Sequence, residues 1–454
     1  MRLGRSDARR TVAQYRKMGA AERTVLREKR LNELVMYAKA NSPYFAKLYS
    51  GINIDESFSI KDLPKLPPTN KAGLMSDFEG WVTDRRVRIA EIEKLVEDPA
   101  NIGKPYLGEY LVLTTSGTTG KPGIVIYSES AMNVLSAVHR AFTFIRGHDY
   151  VKWMIRGGTT ATIVAADAFN GTNVMSHILA EEDPKLIYKS HFINLFDPIP
   201  SVVESLNKLK PAMMFAYPTL MKILTEEKRA GRLKVSPVLI TSGGEHLNMQ
   251  DRKEIEAVFR CPVQSAYGCT EGGPIAHDCR HQRLHLHDGW IIMEPVNKNN
   301  EPVPCGTLAD KWFMTALASH AQPIIRYEVS DRVILHDEGC PCGDPSPWVE
   351  VEGRIEETFT CPGVDRDVSI LPSVLYETMT AVEGMREYQV ILRKDRDLEL
   401  RIVADDRALA FERASKALQR ILDVMGATSK ILLSEDRPQL EPKSGKLRKF
   451  KIEK

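Results

Sequence analysis

Between residues 110 and 275 short apolar runs alternate with amphipathic helical patterns, and this alternation constrains the fold more than any other feature of the chain. LVLTT (111–115), GIVIYS (123–128), KWMIR (152–156), AMMFAYP (212–218), VLITSGG (238–244) and VQSAYG (263–268) have the length and residue types of strands. Patterns over 201–210, 219–230 and 249–259 read as helices between some of them. Strands separated by helices predict an α/β domain with mixed, mostly parallel β-sheets. After Gly353 the pattern changes. YQVILRK (388–394) and LELRIVAD (398–405) alternate as half-exposed strands, and an amphipathic helix follows over 407–425, the make-up of a small α+β domain. Two units are expected, 1–355 and 356–454, which suits a chain of 454 residues. Upstream, Leu31, Leu34, Val35 and Tyr37 stand at helical spacing, and the stretch 60–74, with Pro64, Pro67 and Pro68, reads as an extended connector into a new helix.

Charge and cysteine usage exclude several function classes. With 62 Lys+Arg against 60 Asp+Glu the net charge is +2, so nothing global calls for nucleic acid or a membrane surface. The basic start MRLGRSDARR leads into AQYRKMGAAER, which is not the apolar core of a signal peptide. No run approaches the ~18 apolar residues of a spanning helix. Seven cysteines in so long a chain fit a reducing compartment better than a disulfide framework. A cytoplasmic enzyme is the expectation.

Five segments carry chemistry. TTSGTTGKPG (114–123) follows a strand and packs Gly117, Gly120 and Gly123 among the hydroxyls of Thr114, Thr115, Ser116, Thr118 and Thr119, with Lys121 beside them. Glycine permits close backbone approach, hydroxyls and N–H groups donate to oxyanions, and lysine adds positive charge, so the composition suits a loop around a polyphosphate. It is not a P-loop, because Gly117 precedes Gly120-Lys121 by only three positions. In YGCTEGG (267–273) Tyr267 can stack on a base, Thr270 can reach a phosphate and Glu271 can hold Mg²⁺. In QPIIRYEVSD (322–331) Asp331 can accept from ribose hydroxyls and Arg326 can meet a carboxylate or phosphate. EGRIEE (352–357) stands where the composition changes, and PKSGKLRKF (442–450) closes the chain with a basic tail. Each segment alone also reads as an ordinary polar turn or solvated end.

Taken in this order, the five resemble the motifs of the adenylate-forming (acyl-CoA synthetase, AMP-binding) superfamily. TSGTTGKP resembles its phosphate loop, YGCTE its YGxTE motif, PIIRYEVSD its ribose segment, EGRIEE its hinge, usually GRxDD, and SGKLR its catalytic-lysine motif. The start LVMYAKANSPYFAKLY, the SGGEHL segment and a Cys-Pro-Cys-Gly stretch are similar to the phenylacetate–CoA ligase-like branch, which includes capsule-polysaccharide adenylating homologues. The resemblance implies that a carboxylic acid attacks the α-phosphorus of ATP, and that a coenzyme A thiol then takes the acyl group. Related schemes pass it instead to an amine, another nitrogen nucleophile or a carrier-protein thiol. A non-catalytic nucleotide-binding homologue is the reading from a different class, and the presence of both Lys446 and Glu271 argues against it.

Site residues follow from the same resemblance. Residues 115–121 hold the β- and γ-phosphates; Gly243, Gly244 and Glu245, with Tyr267 and Gly268, line adenine. Thr270 touches the α-phosphate, Glu271 binds Mg²⁺, and Asp331 holds the ribose with help from Arg354. Lys446 bridges the acid and the α-phosphate, and the small domain is mobile about a hinge at Glu356. The acid pocket is expected at Trp153, Arg156, Phe215, Ala216, Tyr217 and Ala266, a mixed aromatic and small lining suited to an aromatic or other compact acid. Relatives in this branch imply a homodimer.

The cysteines add one site. Cys340 and Cys342 are one residue apart, and Cys279 and His285 make up a Cys₃His set suited to tetrahedral Zn²⁺. His277, His281 and His287 compete as ligands, because HDCRHQRLHLHD offers four imidazoles within eleven residues. Resemblance to branch members with a structural zinc favours Cys279, His285, Cys340 and Cys342.

Overall fold

The computed structural model describes residues 3–115, 122–143, 147–164, 169–175, 189–354, 358–364, 367–370, 374–375, 378–379, 382–441 and 447–453. The N-terminal stretch is helical, as its periodicity predicts. Helix Ala20–Asn41 buries Leu31, Leu34, Val35 and Ala38, whereas Tyr37 lies 40% exposed on its rim. The proline-rich connector is a 3₁₀ turn, Ile60–Lys65, then an extended stretch whose Thr69 bridges to Tyr327, then helix Lys71–Ser76 capped by the Asn70 side chain.

Strands β1 (Tyr110–Thr114) and β2 (Ile124–Ser128) form a separate antiparallel hairpin instead of joining the main sheet. A parallel run follows, built from β3 (Thr159–Val164), β4 (Lys189–Asn194), β5 (Met213–Ala216), β6 (Leu239–Gly243) and β7 (Val263–Cys269) in the order β4-β3-β5-β6-β7. Helices Ile199–Leu209, Pro218–Arg229 and Met249–Phe259 supply the crossovers that parallel pairing requires. Their apolar faces and the strands share one core around Ala161, Met214, Ile240, Leu224 and Phe259. The sheet continues antiparallel through β8 (Gly273–Asp278) and β9 (Leu284–Leu286). Beyond them, β10 (Ile291–Val296), β12 (Lys311–Ala316) and β13 (Tyr327–Val329) make a three-stranded sheet. Strands β11 (Leu308–Ala309), β14 (Asp331–His336) and β15 (Trp348–Arg354) complete the ten-stranded sheet, with Asp331 paired to Arg354.

The last hundred residues form their own core. Short strands β16 (Phe359–Cys361) and β17 (Val368–Ile370) pair, and β18 (Met385–Leu392), β19 (Leu398–Ala404), β20 (Ile431–Leu433) and β21 (Phe450–Ile452) make a four-stranded sheet. Helix Arg407–Met425 covers it through Ala410, Ala414, Leu418 and Leu422. Among the described residues no helix is long and apolar enough to cross a membrane.

One strand expectation fails. KWMIR lies in helix Gly147–Ile155 and the turn after it, because its alternation is too short to separate a twofold from a helical period. The strand falls later, at Thr159–Val164.

Candidate active site

In a parallel sheet the loops at the C-terminal strand ends converge, and a ligand crevice forms there. Here those ends belong to β5, β6 and β7. Gly243 and Ala266 face each other across the β6–β7 ladder, and a Cβ on Gly243 would sit 2.8 Å from the Ala266 carbonyl oxygen, so only glycine lets the strands run this close. Gly244 follows in the left-handed region at φ +80°, which turns the chain out of the sheet.

The hairpin β1–β2 is brought to the same edge by side chains. Gln322 accepts from the Ile126 amide at 2.7 Å and donates to the Ile124 carbonyl at 3.1 Å, while the Tyr127 hydroxyl donates to the Thr270 carbonyl at 2.7 Å. At the hairpin mouth the Thr115 amide donates to the Gly123 carbonyl and the Gly123 amide donates to Thr115 Oγ1. Ser116, Gly117, Thr118, Thr119, Gly120 and Lys121 lie outside the described residues, as do Lys446 and Glu356 and the side chain of Arg354.

Around this mouth the described groups converge. Lys71 Nζ donates to Thr115 Oγ1 at 3.2 Å; partial burial lowers the pKa of its ammonium, and Glu271 nearby opposes that shift. Glu271 Oε1 accepts from the Tyr327 hydroxyl at 2.8 Å. Burial, reinforced by Glu271, holds that phenol far above its ordinary pKa, so it stays a donor. Tyr267 donates to Asp331 Oδ2 at 2.5 Å, with its phenol likewise pushed up by burial and by Asp331. A carboxylate oxygen beside the β1–β2 hairpin is the ligand type a hard cation takes, so Glu271 fits Mg²⁺. Sequence reasoning missed Lys71 and Tyr327. Lys71 carried a signal, because a cation at the first residue of a helix opposes the helix dipole.

Two expected residues have other duties. Each carboxylate oxygen of Glu245 already accepts a backbone N–H, Oε1 from Leu447 at 3.0 Å and Oε2 from Thr219 at 2.9 Å. Arg326 meets a carboxylate, but it is the protein's own: its Nε lies 3.1 Å from Glu294 Oε1 and its guanidinium stands over the Phe313 ring.

The expected acid pocket divides. Phe215 and Tyr217 stand edge-to-face with ring centroids 6.2 Å apart at the C-terminal end of β5, near Ala216 and the β6–β7 rung carrying Ala266. Trp153 does not join them. It is 2% exposed and packs with Ala212, Met213 and Leu239, where β5 and β6 begin, at the opposite end of the sheet. Arg156 donates to the Ser236 carbonyl at that same end. Both placements follow from the helix that replaces the expected strand.

The cysteine set assembles. Donor atoms of Cys279, His285, Cys340 and Cys342 all lie within 4.8 Å of one another, with Cys279 Sγ 3.7 Å from Cys340 Sγ and Cys342 Sγ 3.4 Å from His285 Nε2. His285 Nδ1 lies 2.9 Å from the Ser346 carbonyl, which fixes the proton on Nδ1 and leaves Nε2 a lone-pair donor. The amides of His281 and Asp344 donate to the sulfurs of Cys279 and Cys342 at 3.3 Å. Burial alone would raise the Cys340 thiol; hydrogen bonds from Cys342, His285 and Cys279 instead draw it down to about 7. The competing imidazoles stand apart from this set: His277 and His287 bond each other at 2.6 Å, and His281 is exposed. Three soft sulfurs and one imidazole fit Zn²⁺.

The chain is similar in sequence and in fold to known proteins. The sequence model described as AMP-binding enzyme matches residues 60–307. The chain is 23% identical to the phenylacetate-coenzyme A ligase of Thermus thermophilus over 93% of its own length and 95% of that protein. It is 20% identical to Protein CapK of Staphylococcus aureus over 69% of its length and 63% of that protein's. Among solved structures, 2-hydroxyisobutyryl-CoA ligase in the postadenylation state superposes with a TM-score of 0.74 at 18% identity, covering 97% of this chain and 91% of that one. The same enzyme in the thioesterification state gives 0.61 at 20% identity, covering 93% and 88%.

Proposed function

The chain belongs to the AMP-binding enzyme family, and from that membership we propose that it activates a compact carboxylic acid with ATP and passes the acyl group to coenzyme A. One observation carries the reading: Thr115 with Lys71, Glu271 with Tyr327, and Tyr267 with Asp331 converge at the C-terminal edge of a parallel sheet.

In the first half-reaction an acid oxygen bonds to the α-phosphorus of ATP and the bond to pyrophosphate breaks. No enzyme nucleophile is needed, so catalysis reduces to placement and neutralisation of charge. The 115–121 loop and Lys71 would take the β- and γ-phosphates, Thr270 the α-phosphate, and Asp331 the ribose with Arg354. Gly243, Gly244, Tyr267 and Gly268 would flank the adenine. Glu271 would hold Mg²⁺, which when bound offsets phosphate charge. Phe215, Ala216, Tyr217 and Ala266 would wall the acid, a mixed aromatic and small lining that suits an aromatic or similarly compact substrate. Lys446, from the small C-terminal domain, would bridge the acid and the α-phosphate. In the second half-reaction the coenzyme A sulfur attacks the acyl carbon and AMP leaves, after the small domain turns about Glu356. Cys279, His285, Cys340 and Cys342 would hold a Zn²⁺ with no open position, a staple between the loop after β8 and the turn before β15.

The test is pyrophosphate release over a panel of aryl and short alkyl carboxylic acids, with and without coenzyme A. Acid-dependent release followed by thioester formation is expected. Release without any thioester would move the acceptor elsewhere, and no release with any acid would sink the reading.

A further inference from the structure

The tail of the chain meets the large domain at two points. Beside the Leu447–Glu245 bond, the ammonium of Lys449, itself 8% exposed, lies 3.8 Å from Asp251 Oδ2. Asp251 is 2% exposed, and its Oδ1 lies 2.9 Å from Lys222 Nζ. By main chain, however, this tail belongs to the small domain: the Val390 amide donates to the Lys449 carbonyl at 2.7 Å, and Phe450 pairs with Val390 in the parallel β18–β21 ladder. The segment is thus fixed to one unit by its backbone sheet and to the other by an amide and an ammonium.

Both contacts join the two units, so a turn of one unit against the other would part them. Lys222 and Lys449 share the Asp251 carboxylate, and a buried carboxylate parted from its partners is costly. Glu245 is the better placed of the two anchors for chemistry. The Leu447 amide it holds is part of the peptide unit that begins at the carbonyl of Lys446. We infer that Glu245 and Asp251 are positioning residues that dock the 447–449 tail on the large domain, anchoring the chain beside Lys446 while the acyl-adenylate forms. This rests on the adenylation reading above. Glu245 would act through the tail and not by contact with the nucleotide.

The experiment separates the half-reactions in the full-length protein. Glu245→Ala should lower kcat for acid-dependent pyrophosphate release by ~10-fold or more, the size of one lost charge-assisted hydrogen bond. Its KM for ATP should stay within ~2-fold, as expected if bonds to the tail leave nucleotide binding alone. Glu245→Gln, which keeps one acceptor oxygen, should fall between Ala and wild type. Lys449→Met should reproduce the selective loss, and it stands in for Asp251→Asn should that buried change unfold the protein. Thioester formation from supplied acyl-adenylate and coenzyme A should be unaffected in all of them. Equal loss in both half-reactions, a rise in ATP KM that matches the fall in kcat, or no loss at all would overturn the proposal. Should the wild-type chain activate no acid, the adenylation reading fails by itself. Amide hydrogen exchange then still tests the docking: exchange over 447–449 should be faster in Glu245→Ala than in wild type, and equal rates would overturn it.

Discussion

Tyr267 and Asp331, 64 positions apart in sequence, meet across the site at 2.5 Å, hydroxyl to carboxylate. The bond orients Asp331, the residue proposed to hold the ribose. Asp331→Asn should weaken ATP binding by ~10-fold, through loss of charge-assisted bonds. Tyr267→Phe should weaken it less, because the ring proposed to flank the base remains. Calorimetric titration with a non-hydrolysable ATP analogue measures both, and an unchanged affinity in Asp331→Asn would remove the ribose assignment.

Among the described residues Glu271 is paired with a neutral donor, Tyr327, and no direct hydrogen-bond partner there cancels its charge. Glu271→Gln keeps the shape and removes the charge a hard cation prefers. The expected result is a higher Mg²⁺ concentration for half-maximal pyrophosphate release. Tyr327→Phe should shift that midpoint much less.

Two lysines should fail differently. Lys71→Met should raise the KM for ATP, since Lys71 stands at the hairpin mouth, where the phosphates are proposed to lie. Lys446→Ala should instead lower kcat for adenylation by ~10²–10³, the range for removing a charge aimed at the transition state, with ATP binding kept. Thioester formation from supplied acyl-adenylate should survive it. Steady-state kinetics of the two variants side by side make the comparison.

Metal analysis of protein purified without a histidine tag should find one zinc per chain. Cys340→Ser should lose most of it and unfold at lower temperature, because a closed Cys₃His set contributes its binding energy to folding. Substoichiometric zinc that the substitution leaves unchanged would count against the site.

Trp153→Ala should cost ~3–5 kcal/mol of stability, as large-to-small changes in a packed core do. The acid preference of the folded fraction should not move. Phe215→Ala, at the other end of the same strand, should change that preference at a smaller cost in stability. Denaturant midpoints and acid profiles distinguish the two.

The contrast between Trp153 and Phe215 marks how far the sequence could be read. The loop motifs were legible because their chemistry is local: YGCTEGG ends a strand and carries its own donors and acceptors. Helices such as Met249–Phe259 and Arg407–Met425 fell at the residues their periodicity marked. KWMIR misled because five residues fit either period, and the wrong element carried Trp153 and Arg156 to the wrong end of the sheet. Cys279 and Cys340 were found as a set by residue type, although only a fold that lays β9 against β15 brings them together. The contacts of Lys71, which was missed, and of Glu245, which was expected at the adenine, were hidden for a different reason. Their roles depend on partners far along the chain, Thr115 and Leu447, which no local pattern encodes.

Asp331 opens β14 directly opposite Arg354, the last residue of β15 and two positions before Glu356. The residue assigned to the ribose and the exit toward the linker are therefore rungs of one ladder. If the nucleotide grips one side of that rung more tightly in one orientation of the small domain, linkage runs both ways. A substitution at the linker that biases the orientation must then change nucleotide affinity by the same free energy with which the nucleotide biases the orientation. Loss of ATP affinity in a linker variant would thus arise without a single altered contact to ATP.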